Sequence, residues 1–361
     1  MTIIYKEVKQ RILEMAMNSS PHSKLPSRKN LCQQLLISKT TVDRAIRELI
    51  DEGILYSMNG SGTYISDSST NGIQLTESRC NIAVLLPDIM RDTYPGILRG
   101  IEDVMHRRGA NVVLCNTDDD LEKEGSYIQR LSRSIINGII MVPACYKEET
   151  DDSELKKMLL EMDVPVVFCN RGIAGLKRPL VTCNNYYGAF LATNHLIHCG
   201  YKRIAFLASK PYQITYERYQ GYQAALWYHG IEVEDELVHF DEGETSVETG
   251  FYAIQKLMHK TDVDAAFCFN DRVACGVINY LSANAIRCGD DFGVIGYDNT
   301  PLCEVINPSL TSVSFEEYGN GRKAAEILLE QIAGRQIVAE KMITTMPRLY
   351  ERGSTRKIPD S

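Results

Sequence analysis

Several apolar runs in this 361-residue sequence end in polar side chains suited to gripping a small molecule. Pro87-Asp88 follows Ile82-Ala83-Val84-Leu85-Leu86, and Asn170-Arg171 follows a run ending at Phe168. Asn270-Asp271 follows Phe269, and Tyr297-Asp298-Asn299 follows Ile295-Gly296. Arg218 lies in a helical stretch beyond another such run, Ile204-Ala205-Phe206-Leu207. Carboxylates and amides exchange hydrogen bonds with vicinal hydroxyls, and a guanidinium forks onto oxygen pairs. Tyr94 offers an aromatic face for a sugar ring. Asp88, Tyr94, Arg171, Arg218, Asn270, Asp271 and Asp298 therefore form a candidate ligand set. Each has a plainer alternative: Asp271 as a helix cap, Asp298 as a turn residue, Arg171 as an internal ion-pair partner, Tyr94 as core.

A second set lies near the N-terminus. Arg28 and Lys29 follow Ser27 in the first turn of a helical pattern, where a cation opposes the helix dipole. An anion at that terminus, such as a phosphate, reverses the argument. Ser38 precedes another helical run, and Lys39, Thr40, Thr41 and Arg44 occupy its first turns. Short donors and cations there suit the edges of bases in a DNA major groove. Gly60 and Gly62 follow in a turn, where absent side chains let backbone approach phosphate.

These sets need elements to position them. Residues 5–18 place Val8, Ile12, Leu13, Met15 and Ala16 on one helical stripe. A second helix runs from Ser27 to about Leu36, and a third after Ser38 turns Val42, Ala45, Ile46 and Leu49 inward. Two short strand patterns then flank Asn59-Gly60, a strong hairpin signal. Helix–turn–helix followed by a hairpin is a winged DNA-binding module over residues 1–66. The small polar stretch over 67–79 reads as a linker. From Cys80 to the end, over 80–361, apolar strands alternate with amphipathic helices. The pattern predicts an α/β fold of two lobes, each a doubly wound parallel sheet. Ligands bind beyond the C-terminal strand ends of such sheets, so the polar residues above should face one cleft.

Charge distribution fits this division. The net charge is −8, yet residues 1–70 carry nine Lys/Arg against seven Asp/Glu. The acidic surplus belongs to the remainder, so the N-terminal module is free to meet nucleic acid. Hydrophobic residues make up 44%, an ordinary globular share, and no apolar run is long enough to cross a membrane. The N-terminus carries no signal-peptide pattern, so a cytoplasmic location is expected. Eleven scattered cysteines contain no C-x-x-C pair and read as reduced, mostly buried side chains.

Catalysis finds no support. No P-loop, HExxH or GxSxG motif occurs. His195 and His198 share a helical face without an obvious third metal ligand, and Asp118-Asp119-Asp120 reads as a solvated run at a helix start. No cofactor is implied.

The runs LPSRKNL, SKTTVDRAIRELIDEGIL and GSGTYI, in this order, resemble the GntR-type winged helix–turn–helix over residues 3–66. The resemblance implies basic DNA contacts at Lys29 and Lys39, a polar recognition position at Thr41 and a wing glycine at Gly62. Where that family often has Arg, this chain has Asp43, with Arg44 one position on, a shift of about 100° around the helix. Further stretches, among them LSRSIINGIIMVP, VPVVFCNRG, FCFNDRVACGVINYL and DDFGVIGYDNTPL, resemble the LacI/GalR effector domain over residues 80–352, itself similar to periplasmic sugar-binding proteins. That resemblance places sugar contacts at Arg218, at Asn270 or Asp271, and at Asp298, and with them Arg171, Asp88 and Tyr94. A GntR-type wing on a LacI/GalR-type effector domain resembles the arabinose-repressor group. It implies a homodimeric repressor of sugar-utilisation genes, bound to double-stranded operator DNA and released by a monosaccharide such as L-arabinose. Two alternatives stand: the same regulator answering a nucleoside or sugar phosphate, and a sugar-binding protein without a regulatory role.

Overall fold

The computed structural model describes residues 2–17, 19, 22–35, 37–51, 54–58, 61–65, 80–91, 93–144, 153–209, 212–241, 246–335 and 341–357. They fall into two units, Met1–Arg79 and Cys80–Ser361.

In the first unit three helices, α1 (Thr2–Met17), α2 (Arg28–Leu35) and α3 (Lys39–Asp51), precede a hairpin of β1 (Leu55–Met58) and β2 (Gly62–Ile65). The i, i+3, i+4, i+7 spacing of Val42, Ala45, Ile46 and Leu49 puts all four on one face of α3, and all are buried. They pack with Val8, Ile12, Leu31, Leu55 and Ile65. Each large aliphatic side chain so buried is worth roughly 1.5–3 kcal/mol. The hairpin is antiparallel, pairing Leu55 with Ile65 and Met58 with Gly62. Asn59-Gly60, expected at its tip, and the expected linker lie outside the described residues.

The second unit opens with β3 (Asn81–Leu86), α4 (Tyr94–Arg107), β4 (Asn111–Asn116), α5 (Leu121–Leu131), β5 (Gly138–Met141), α6 (Ser153–Leu160), β6 (Val166–Cys169) and β7 (Leu180–Cys183). A second series follows: α7 (Asn185–His198), β8 (Ile204–Ser209), α8 (Gln213–Tyr228), β9 (Val238–Asp241), α9 (Val247–Met258), β10 (Ala265–Cys268), α10 (Asp271–Ala283), β11 (Gly293–Asp298), α11 (Leu302–Val305) and β12 (Thr311–Ser314). The chain ends with α12 (Glu317–Ile332), β13 (Met342–Thr345) and β14 (Leu349–Tyr350). Two six-stranded sheets result, ordered β13-β7-β6-β5-β3-β4 and β14-β12-β11-β10-β8-β9. Among the described residues every strand pairing in these sheets is parallel except β12 with β14. Strands β5, β6 and β10 are buried throughout, which explains their unbroken apolar runs.

The lobes are not consecutive in sequence. The alternating pattern puts the last helix after the second lobe, but α12 packs on α4 of the first. Glycines permit this approach. A Cβ on Gly321 would lie 2.1 Å from the Ile97 carbonyl oxygen, and one on Gly100 would lie 2.2 Å from that of Tyr318. Strand β13 then completes the first sheet and β14 the second, so the chain passes between lobes three times. Strands β7, β12, β13 and β14 had no counterpart in the sequence pattern.

None of the ten described cysteines forms a disulfide with another described cysteine, and seven are buried. No helix among the described residues is long and apolar enough to cross a membrane.

Candidate functional site

The strand ends of the two lobes enclose a cavity of about 100 Å³, room for several waters or one small polar molecule. Six of the seven proposed ligand residues line it: Tyr94, Arg171, Arg218, Asn270, Asp271 and Asp298. Asp88 does not. Its carboxylate accepts from the Met90 N–H at 2.8 Å and lies 3.6 Å from Arg91 Nε, closing the turn after β3.

Arg218, on α8, is 3% exposed. Its Nε donates to Asn185 Oδ1 at 3.2 Å, one terminal nitrogen donates to the Phe269 carbonyl, and the other lies 3.5 Å from Asp298 Oδ1. The guanidinium sits 3.5 Å above the centre of the Tyr297 ring. Arg171 is held as firmly. It donates to the Pro143 carbonyl at 2.6 Å, the Tyr94 hydroxyl at 3.3 Å and Asp119 Oδ1 at 3.1 Å. Both arginines are fixed in direction before any ligand arrives.

Asp298 ends β11 with φ +103°, a conformation that costs a non-glycine residue roughly 1–3 kcal/mol. Burial pushes its carboxyl up to about 8, against the opposing pull of Arg218. Asn270 is the cap of α10, its Oδ1 accepting from the Val273 N–H at 3.0 Å. The cap considered for Asp271 therefore belongs one residue earlier. Asp271 accepts from the Thr300 N–H at 2.7 Å and the Ser312 hydroxyl at 2.6 Å. Gly296 makes room for it, since a Cβ there would lie 2.3 Å from Asp271 Oδ1. Burial raises the Asp271 carboxyl. Asn170, also lining the cavity, has φ +68° and a buried amide oxygen without a hydrogen-bond partner among the described residues.

Sequence reasoning missed Arg91, Thr93, Tyr212, Phe269, Arg272 and Phe315 among the lining residues. Arg272 directly follows Asp271, so extending the strand-end rule by one residue finds it. Phe315 follows β12, whose Thr-Ser-Val-Ser sequence lacks an apolar run. The acidic run after β4 is more than solvated charge. Asp120 caps α5 through the Lys123 N–H at 2.8 Å, Asp119 pairs with Arg171, and Asp118 pairs with Lys123.

In the first unit, Ser27 and Ser38 cap α2 and α3, accepting from the N–H groups of Asn30 at 3.2 Å and Thr41 at 3.4 Å. The Ser38 hydroxyl also meets those of Thr40 at 2.9 Å and Thr41 at 2.8 Å. Lys29, Lys39 and Thr40 are exposed, and Thr41 is half-buried. Arg44 lies 3.4 Å from Glu48. Arg28 has a structural role that its place in a first turn concealed: its Nε is 2.8 Å from Asp43 Oδ1. Lys24, Arg28, Lys29, Lys39 and Gly62 line one groove between the helix starts and the wing. Gly62 has φ +132°, and a Cβ there would strike the Lys24 side chain at 2.7 Å. Gly60 lies outside the described residues.

His195 is buried, its Nε2 3.0 Å from the Thr355 hydroxyl, while His198 Nδ1 donates to the Asn194 carbonyl at 2.7 Å.

A winged helix–turn–helix with a basic groove, and a two-lobed domain around a polar cleft, define a ligand-responsive DNA-binding regulator. Residues 2–65 match the model of the gntR family of bacterial regulatory proteins, and residues 193–355 match the periplasmic binding protein-like domain. The chain is 31% identical over 288 residues to the HTH-type transcriptional repressor PurR of Vibrio atlanticus, covering 78% of this chain and 84% of that protein. It is 26% identical over 359 residues to the arabinose metabolism transcriptional repressor of Geobacillus stearothermophilus, covering 98% of each. Among solved structures it resembles the transcriptional regulator CelR in complex with cellobiose, at 26% identity and a TM-score of 0.69 over 88% of this chain and 91% of that one. The chain belongs to the bacterial transcription regulators with a LacI-type, periplasmic-binding-protein-like domain, joined here to a gntR-family DNA-binding domain. It is a DNA-binding regulator, not an enzyme.

Proposed function

We propose that this chain represses sugar-utilisation genes and leaves its operator when a monosaccharide fills the cleft. The observation that carries this reading is the convergence of Arg171, Arg218, Asn270, Asp298 and Tyr94 on one cavity between the lobes. Asp298 and Asn270 suit hydroxyls, the arginines fork onto oxygen pairs, and Tyr94, Phe269 and Phe315 supply aromatic wall. The Asn170 oxygen, without a partner among the described residues, would accept from a ligand hydroxyl. In this reading residues 1–66 bind DNA, 67–79 link, and 80–361 bind effector and form a homodimer whose two wings read a palindromic site. Ligand closes the lobes only if it binds the closed state more tightly. The names of the two relatives above favour repression, and the arabinose repressor makes L-arabinose the first compound to test.

The test is thermal unfolding against a panel of monosaccharides, followed by anisotropy on an operator selected from random duplexes. A sugar that raises Tm and weakens DNA binding is the expected result. A sugar that tightens DNA binding would reverse the sign of regulation. A panel without any shift, acidic sugar derivatives included, would remove the sugar-cleft reading.

A further inference from the structure

Four of the residues lining the cavity are arginines: Arg91, Arg171, Arg218 and Arg272. Two of them build the walls. Arg171 and Arg218 are 7% and 3% exposed, and their N–H groups are directed onto the Pro143 and Phe269 carbonyls, Tyr94, Asn185, Asp119 and Asp298. Arg91 and Arg272 line the same cavity and are half-buried. Arg91 precedes α4 by three residues, and Arg272 is the second residue of α10. A cation at a helix N-terminus meets the positive end of the dipole, an arrangement an anion converts from repulsive to attractive. A third helix, α8, also starts at the cavity, with Tyr212 and Ile214 in its wall, and neither it nor α4 has a side-chain cap among the described residues. Two carboxyl groups oppose these charges from the lining, Asp271 and Asp298. Asp271 is occupied by Thr300 and Ser312, and burial drives both carboxyls toward the neutral form. Asp88, 3.6 Å from Arg91, and Asp119, 3.1 Å from Arg171, are ion-pair partners outside the lining. Four guanidinium groups lining one cavity suit a ligand that carries negative charge.

We propose that the effector is a monosaccharide derivative bearing one acidic group, a carboxylate or a phosphate, held between Arg91 of the first lobe and Arg272 of the second. The proposal rests on the cleft being the effector site and replaces a neutral pentose with an acidic compound. Because the two arginines belong to different lobes, the anion ties ligand binding to lobe closure.

The experiment uses the full chain and compares D-galacturonate, D-gluconate and D-ribose 5-phosphate with D-galactose, D-glucose, D-ribose and L-arabinose at equal concentration. Tm is read first, then affinity by calorimetry, for the native chain, Arg91→Ala, Arg272→Ala and the double variant. An acidic compound should stabilise the chain where its neutral parent does not. Each single variant, with an unliganded Tm close to native, should bind that acid ~10- to 100-fold more weakly, the range for a charged hydrogen bond. The carboxylate and phosphate arms separate the two sources of the anion. A neutral sugar that binds native and double variant equally well would overturn the acidic effector and leave the sugar cleft standing. An acid bound equally by native and variants would overturn the assignment to Arg91 and Arg272. Silence across the whole panel would overturn the cleft reading as well.

Discussion

Arg28 at the start of α2 and Asp43 on α3 form a 2.8 Å ion pair across the helix–turn–helix. Asp43 is the position where the GntR-type pattern often has arginine, and this pair gives the acidic residue a partner. The side chains are 44% and 33% exposed, so the pair contributes about 0–1 kcal/mol to stability. Its weight should fall on DNA binding. Arg28→Ala should weaken operator binding by releasing a carboxylate beside phosphates, and Asp43→Ala should strengthen it. The double variant should bind better than the sum of the single effects. Anisotropy on all four proteins gives the cycle, and strict additivity would sever the pair from recognition.

Lys39 stands exposed at the first position of α3. Lys39→Ala should weaken operator binding and lower the salt slope of log K by about one, as loss of one phosphate contact requires. An unchanged slope would assign Lys39 to something other than phosphate.

Asp298→Ala should abolish the ligand response and leave operator binding intact. The same side chain predicts a pH effect. Its folded carboxyl is pushed up to about 8, whereas the unfolded chain holds it near ~4. The folded state therefore binds this proton more tightly. Its contribution is full below ~4 and is lost as pH rises toward the folded value. The Tm of Asp298→Asn relative to native should climb between about pH 5 and 8. A constant difference would mean that Arg218 keeps the carboxylate charged throughout.

His195 titrates in the opposite sense. Burial lowers its pKa, outweighing the pull of Glu351. The unfolded chain takes the proton first, so stability is present above about 6.5 and is lost as pH falls toward the lowered folded value. His195→Gln, which keeps a donor for Thr355, should flatten the Tm profile in that acid window. A profile as steep as native would place the loss elsewhere.

Gly321→Ala puts a methyl group against the Ile97 carbonyl at the contact of α4 and α12. Because backbone must move, a loss at the upper end of the ~1–3 kcal/mol seen for overpacked cores is expected. Denaturant midpoints measure it. A change below about 0.5 kcal/mol would mean the helices separate freely.

The parts of the site that sequence made legible share one cause. A parallel strand covered on both faces writes a continuous apolar run, and the first polar residue after it marks the cleft; this finds Arg171, Asn270, Asp271 and Asp298. Asp88 follows the same rule and is spent on its own turn through Met90. Arg91 and Arg272 escaped because a loop residue and a first-turn residue carry no periodicity. Strand β13 escaped because alternate residues of Met342–Thr345 are exposed at a sheet edge. The seating of α12 on the first lobe depends on glycines at positions 100 and 321, whose meaning appears only when both helices are present.

The last crossing between the lobes also bears on how the chain is made. The first sheet gains its edge strand only with residues 342–345 and the second only with 349–350. During synthesis neither half can close its hydrogen-bond ladder until that final stretch has left the ribosome. The DNA-binding unit, whose core is drawn from residues 8–65, is free of that constraint and can take shape while the effector domain is still being translated.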